Sequence, residues 1–174
     1  MLVSEILILF TLLLIFIQDL RSRAVYWFLF PILVVLLLLT RHIHNDSIAL
    51  IRQSTVINIT FLLIQLFLVT IYFSFKNKRF VNVVGKMLGL GDVLFLLSIA
   101  FYLSTLNFLF FYMSSLIIVL IFWLLWQLLS VKKSKEIPLA GMQAIIFILF
   151  LASDWWLKII NLTDDNWLLR LITK

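Results

Sequence analysis

The chain is 174 residues long, 64% hydrophobic and 13% charged, with a mean hydropathy of +1.19. Soluble domains run at about 45–50% apolar and about 25% charged, so an ordinary water-soluble globule is excluded and an integral membrane protein is expected. The absence of cysteine excludes a disulfide framework and a thiolate metal site. The net charge of +6 reads as basic residues collected on one membrane side, and no nucleic-acid partner is expected.

A bilayer-spanning helix needs about 20 mostly apolar residues. The first apolar run covers 6–18, with Leu2 and Val3 ahead of it, and ends at Asp19-Leu20-Arg21-Ser22-Arg23. It has neither a basic leader nor a small-residue cleavage site, so a retained helix is expected and not a signal peptide. The second run, 24–40, contains Pro31, which is expected to kink it. A polar loop at 41–47 follows. The third helix is predicted over 55–75, with 48–54 as an interfacial lead-in. Residues 80–91 are too short to span and are broken by glycine, so a loop or re-entrant piece is expected there. The apolar stretch 93–130 is too long for one helix. Its break at Ser104-Thr105-Leu106-Asn107 gives a fourth helix over 92–103 and a fifth over 108–129. Pro138 suits the first turn of a sixth helix, which runs to about Leu151. Residues 154–174 mix Trp155, Trp156 and Trp167 with charges, as an interfacial amphipathic helix does. The expected fold is thus all-α, a polytopic membrane protein of about six transmembrane helices. Its membrane core covers 1–152 and an interfacial tail covers 153–174.

Six spans permit a test by charge. With both termini outside the cytoplasm, Arg21, Arg23, Lys76, Lys78, Arg79, Lys86, Lys132, Lys133 and Lys135 lie inside, nine in all. Arg41, Arg52, Lys158, Arg170 and Lys174, five in all, lie outside. The excess follows the positive-inside rule, and it puts Asp19 and Asp92 at the same, cytoplasmic, membrane face.

Three of the four glycines, Gly85, Gly89 and Gly91, lead directly into Asp92. A carboxylate beside hydrocarbon is costly, about 2.5–3.5 kcal/mol at a bilayer centre, and Asp19 is its counterpart after the first run. Taken singly, Asp92 reads equally as a helix N-cap, and Asp19 as an interfacial residue paired with Arg21 or Arg23. Held together, two carboxylates share a proton: the ionised one takes a proton from water while the protonated one polarises an amide carbonyl. That chemistry needs no cofactor and no metal. Gly89 and Gly91, lacking side chains, would let backbone amides approach an extended substrate.

At these residues the chain resembles the type IV prepilin peptidases, the membrane aspartyl proteases of the Gly-x-Gly-Asp class. Gly89-Leu90-Gly91-Asp92 is similar to their second catalytic motif, and Asp19-Leu20-Arg21-Ser22-Arg23 to their first. Ile137-Pro138-Leu139-Ala140-Gly141 is similar to a segment that opens their last core helix. The resemblance covers about 5–152. It implies an aspartic endopeptidase of the bacterial cytoplasmic (inner) membrane, with Asp19 and Asp92 catalytic, Gly89 and Gly91 in the active-site loop, and Pro138 and Gly141 as candidates for substrate contact. The implied partner is a membrane protein with a basic leader and an apolar helix, a prepilin or pseudopilin, met within the lipid bilayer. The chain departs from the family in having Val25-Tyr26-Trp27 after the first Asp and Leu94 two positions after the second, and in lacking the cysteine-bearing methyltransferase region. Leader cleavage without N-methylation is what remains.

Two other readings use the same residues. A non-catalytic scaffold or assembly subunit would keep the fold without the chemistry, and a small transporter would use the aspartates as proton carriers. A transporter would ordinarily hold an acidic residue deep in a span, whereas both aspartates are expected near one end. His42 and His44 could ligate a metal, but a polar loop on the opposite side from the aspartates accounts for them. Asn58, Gln65, Gln127 and Gln143 are expected to make interhelical hydrogen bonds.

Overall fold

The computed structural model describes residues 2–43, 47–78, 89–129 and 138–172. Among them the chain is all helical: α1 (Leu2–Ser22), α2 (Leu29–Ile43), α3 (Ile48–Asn77), α4 (Leu90–Ala100), α5 (Thr105–Leu129), α6 (Leu139–Trp155) and α7 (Asn166–Ile172). By length and composition α1, α3 and α5 are able to cross a membrane, while α2, α4 and α6 are shorter apolar helices. The protein is an all-α membrane protein. Large apolar side chains face outward along the long helices, among them Leu63, Phe67, Ile117 and Leu125, which suits a hydrocarbon surround.

Helix limits differ from the sequence expectation for local reasons. α1 continues past Asp19 because Leu20 and Arg21 are good helix formers. It closes where Arg23 turns left-handed (φ 51°) and returns its N–H to the Asp19 carbonyl at 2.9 Å. Asp19 therefore lies in the last turn of the helix, not after it. Pro31 does not kink α2. It sits in the first turn, where its missing N–H is no loss, and residues 24–28 form a turn ahead of the helix. α3 is one helix of 30 residues, roughly 45 Å long. No Gly or Pro interrupts 48–77, so the expected lead-in belongs to the same helix. α4 has only 11 residues, about 16 Å, well short of a bilayer core of about 30 Å. The expected re-entrant piece lies mostly outside the described residues.

The core is assembled around α6, which packs on α1, α4 and α5; α4 also meets α2 and α3. Phe147 of α6 is fully buried and makes edge-to-face contacts with Phe95, Tyr102 and Phe111. Such pairs add about 0.5–1.5 kcal/mol each beyond burial. Interhelical polar contacts fix the register. Asn58 donates to the carbonyls of Ala100 (3.2 Å) and Leu103 (3.0 Å), Gln143 donates to Ser115 Oγ (3.1 Å), and Gln65 donates to the Tyr112 hydroxyl.

The end of the bundle far from Asp19 is fastened by the C-terminal segment. Asp165 Oδ1 accepts the N–H groups of Leu106 (3.0 Å) and Asn107 (3.2 Å) and the Ser104 hydroxyl (2.5 Å). It thus caps α5 from a distant part of the chain. The Asn107 amide donates to the carbonyls of Asn161 and Asp164, and its oxygen receives the Trp167 indole N–H. Leu162 is fully buried. The segment after α6 is therefore bound to the bundle.

Candidate active site

Asp92 belongs to the first turn of α4, and Gly89 is the N-cap (φ −62°, ψ 134°). Asp92 is therefore not the cap. Its backbone N–H bonds the Gly89 carbonyl at 3.0 Å, and its carboxylate reaches back to the Gly89 amide, as the third helical residue of a capping box does. A Cβ on Gly89 would stand 2.9 Å from Asp92 Oδ2. The glycine is what lets the carboxylate fold back over the helix start.

Asp92 Oδ1 also accepts the backbone N–H of Ala140 at 2.7 Å, and Asp19 Oδ2 accepts that of Gly141, likewise at 2.7 Å. These donors are the second and third residues of α6, whose first four N–H groups have no partner within the helix. Pro138, at the N-cap position, has no side chain able to serve them. The two carboxylates fill that role from α1 and α4, with the positive end of the helix dipole favouring their charge. Each commits one oxygen to α6. Asp19 is 7% exposed, and the Arg23 charge acts on it, so pairing with a basic neighbour is only part of its setting. The two aspartates are close enough for their charges to interact.

Close approach of α1 to α6 depends on Gly141. A Cβ there would stand 2.9 Å from Asp19 Cβ and 3.2 Å from the Phe16 carbonyl oxygen, inside the range where packing must shift. Gly91 differs: its Cβ would make ordinary contacts with Phe30 (3.9 Å) and Val25 (4.0 Å). Gly141 thus serves the Asp19 carboxylate, and Gly91 faces α2.

The pair is recessed. Asp92 lines a cavity of about 50 Å³ together with Val69 of α3 and Leu116 of α5. α5 continues from Leu116 to Leu129, roughly 20 Å of further helix. Asp92 is thus level with the middle of α5. A second cavity, of about 420 Å³, opens between α1 and α5 over the start of α6. Phe16, Leu20 and Arg23 form one wall, Phe122 and Trp126 the other, and Pro138 and Met142 the floor.

No family model, curated protein or solved structure matches the chain. Asp19, Asp92, Gly89 and Gly141 meet at the start of α6, Pro138 precedes that helix and lines the larger cavity, and Gly91 stands next to Asp92 on the α2 side. Ile137 lies outside the described residues, as do 79–88, which carry Gly85, and His44. His42 is in the last turn of α2, at the far end of the bundle. Among the described residues no three His, Asp or Glu side chains gather as metal ligands.

Sequence reasoning missed the two amide donors of α6, because a backbone N–H has no side-chain signature. The one available signal was Pro138 as an N-cap that supplies no hydrogen bond of its own. It also missed that Gln65 and Tyr112 share the Asp92 cavity. They stand 47 residues apart in the chain, on different helices, and share no motif.

Proposed function

We propose that the protein is a membrane aspartic endopeptidase that cleaves the leaders of type IV prepilin-like or pseudopilin-like proteins at the cytoplasmic face of a bacterial inner membrane. The observation that carries this reading is the convergence of Asp19 and Asp92 on consecutive amides of α6 at 2.7 Å each. In the reaction, the ionised carboxylate removes a proton from water as the water oxygen bonds to the scissile carbonyl carbon. The protonated partner donates to the carbonyl oxygen. Collapse of the tetrahedral intermediate breaks the C–N bond, and the leaving amine takes up a proton from the pair. The products are a carboxylic acid and an amine, with one water consumed. Holding both carboxylates on a rigid helix start supplies the orientation such catalysis needs.

The test is incubation of the protein in membranes with a panel of substrates that carry a basic leader followed by an apolar helix, with product masses measured. A single cut between leader and helix supports the reading. An intact panel with properly folded protein favours the non-catalytic scaffold. The apolar lining around Asp92 also favours one further alternative, proton carriage. It predicts pH-driven proton uptake into sealed vesicles and no cleavage of any substrate.

A further inference from the structure

The cavity of about 50 Å³ beside Asp92 is bounded by four helices, with Gln65 from α3, Tyr112 and Leu116 from α5, and Leu139 from α6. Its lining is apolar except for three side chains: Asp92, Gln65 and Tyr112. A water needs at least about 10–15 Å³ of such volume and two to four polar partners, so the cavity is large enough and polar enough for more than one. The polar groups have capacity to spare. Gln65 donates to the Tyr112 oxygen, which leaves the phenolic O–H to donate elsewhere and the Gln65 carbonyl able to accept. Asp92 accepts from the Ala140 and Gly89 amides, and a carboxylate has about four lone-pair sites, so it is able to accept from water as well.

We propose that this cavity is a built water site, in which Gln65 and Tyr112 are positioning residues that hold water against Asp92. The inference rests on the hydrolytic reading above and adds to it where the water is kept. The cavity wall beside Asp92 is otherwise apolar, so only these few polar groups are able to hold water there. Hydrolysis there consumes one water per turnover, and a polar pair joining α3 to α5 is a means of retaining the next one. The Gln65–Tyr112 bond also spans the two longest helices, so their packing sets the cavity's size.

The experiment uses the full chain, purified into lipid nanodiscs, with Gln65→Leu, Tyr112→Phe and the cavity-filling Leu116→Phe. Tyr112→Phe removes one oxygen atom and preserves shape, so it reports even where a bulkier change impairs folding. Two readouts are taken. Turnover of a leader-bearing substrate is expected to fall about tenfold in kcat, with KM unchanged. Modification of Asp92 by dicyclohexylcarbodiimide, which reacts with the protonated acid, is followed by mass spectrometry across pH. Loss of water beside Asp92 is expected to move that profile to higher pH by about one unit, since hydrogen bonds and solvation favour the charged carboxylate. A purely structural role for Gln65 and Tyr112 would leave the profile in place. Wild-type kcat and an unmoved profile in all three variants would overturn the water site while leaving the peptidase reading intact. Undiminished cleavage by Asp92→Asn would instead overturn the peptidase reading, and the labelling profile would still decide the water site.

Discussion

Asp92 and Asp19 accept hydrogen bonds from neighbouring residues of the same helix start, Ala140 and Gly141, at 2.7 Å each. One contact therefore joins α1, α4 and α6. It also gives the carboxylates two separable duties: as acceptors they cap α6, and as titratable acids they are able to move protons. A substitution that keeps one duty and removes the other tells them apart.

Capping is tested by stability. Asparagine keeps an oxygen acceptor, so Asp19→Asn and Asp92→Asn are expected to melt close to the wild type. Alanine leaves an amide of α6 without its partner, and loss of a cap costs about 0.5–2 kcal/mol. Thermal denaturation in a mild detergent should rank alanine below asparagine at both positions. Equal melting of all four variants would show that the bonds to α6 contribute nothing.

The glycines are expected to respond unequally. Gly141→Ala forces a methyl against Asp19 Cβ and the Phe16 carbonyl, and overpacking of this kind costs about 1–3 kcal/mol. Gly89→Ala crowds Asp92 Oδ2 and should displace that carboxylate, lowering activity more than stability. Gly91→Ala meets only ordinary contacts and should stay within about 0.5 kcal/mol of the wild type. Melting and turnover of the three variants check the order. A Gly141→Ala protein as stable as Gly91→Ala would contradict the packing of α1 on α6.

A pair that works with one proton has a defined pH signature. Below the optimum both carboxyls are protonated and the base is lost; above it both are ionised and the acid is lost. kcat/KM against pH should therefore be bell-shaped, with the two limbs belonging to the pair and not to either residue. A rate that rises to a plateau with pH would indicate a single base.

The far end of the bundle is expected to matter for stability alone. Asp165→Ala removes the acceptor shared by Ser104, Leu106 and Asn107. Buried donors left unpaired cost about 1–3 kcal/mol. Chemical denaturation should show that loss, while kcat per folded molecule stays at the wild-type level because no atom of the Asp19–Asp92 pair is touched.

Much of this arrangement was legible in the sequence, in proportion to how strongly each feature marks its neighbours. Apolar runs bounded by charge gave the all-α membrane fold and the six main helices, and Gly89-Leu90-Gly91-Asp92 drew attention to Asp92. Pro31 misled, because proline opens a helix as readily as it kinks one and only the turn at 24–28 decides which. The lead-in at 48–54 was set apart from the third helix, although a helix passes polar residues such as Arg52 and Gln53 freely where no glycine or proline stops it. The place of Asp92 beside the middle of α5 was hidden altogether. It is a relation between elements that no local pattern encodes. Asp165 was hidden for a similar reason, since its partners are about sixty residues away in the chain.

The measurement that bears most directly on the central claim is cleavage of a leader-bearing helical substrate in membranes by the wild type, Asp19→Asn and Asp92→Asn at matched protein levels. Each asparagine keeps the size of the side chain and an acceptor for α6 while removing the proton-transferring acid. The account predicts a cut by the wild type and a loss of at least about 10²–10⁴-fold in rate for either variant, with unchanged melting. Cleavage at the wild-type rate by either variant would contradict it and leave the two carboxylates as caps of α6.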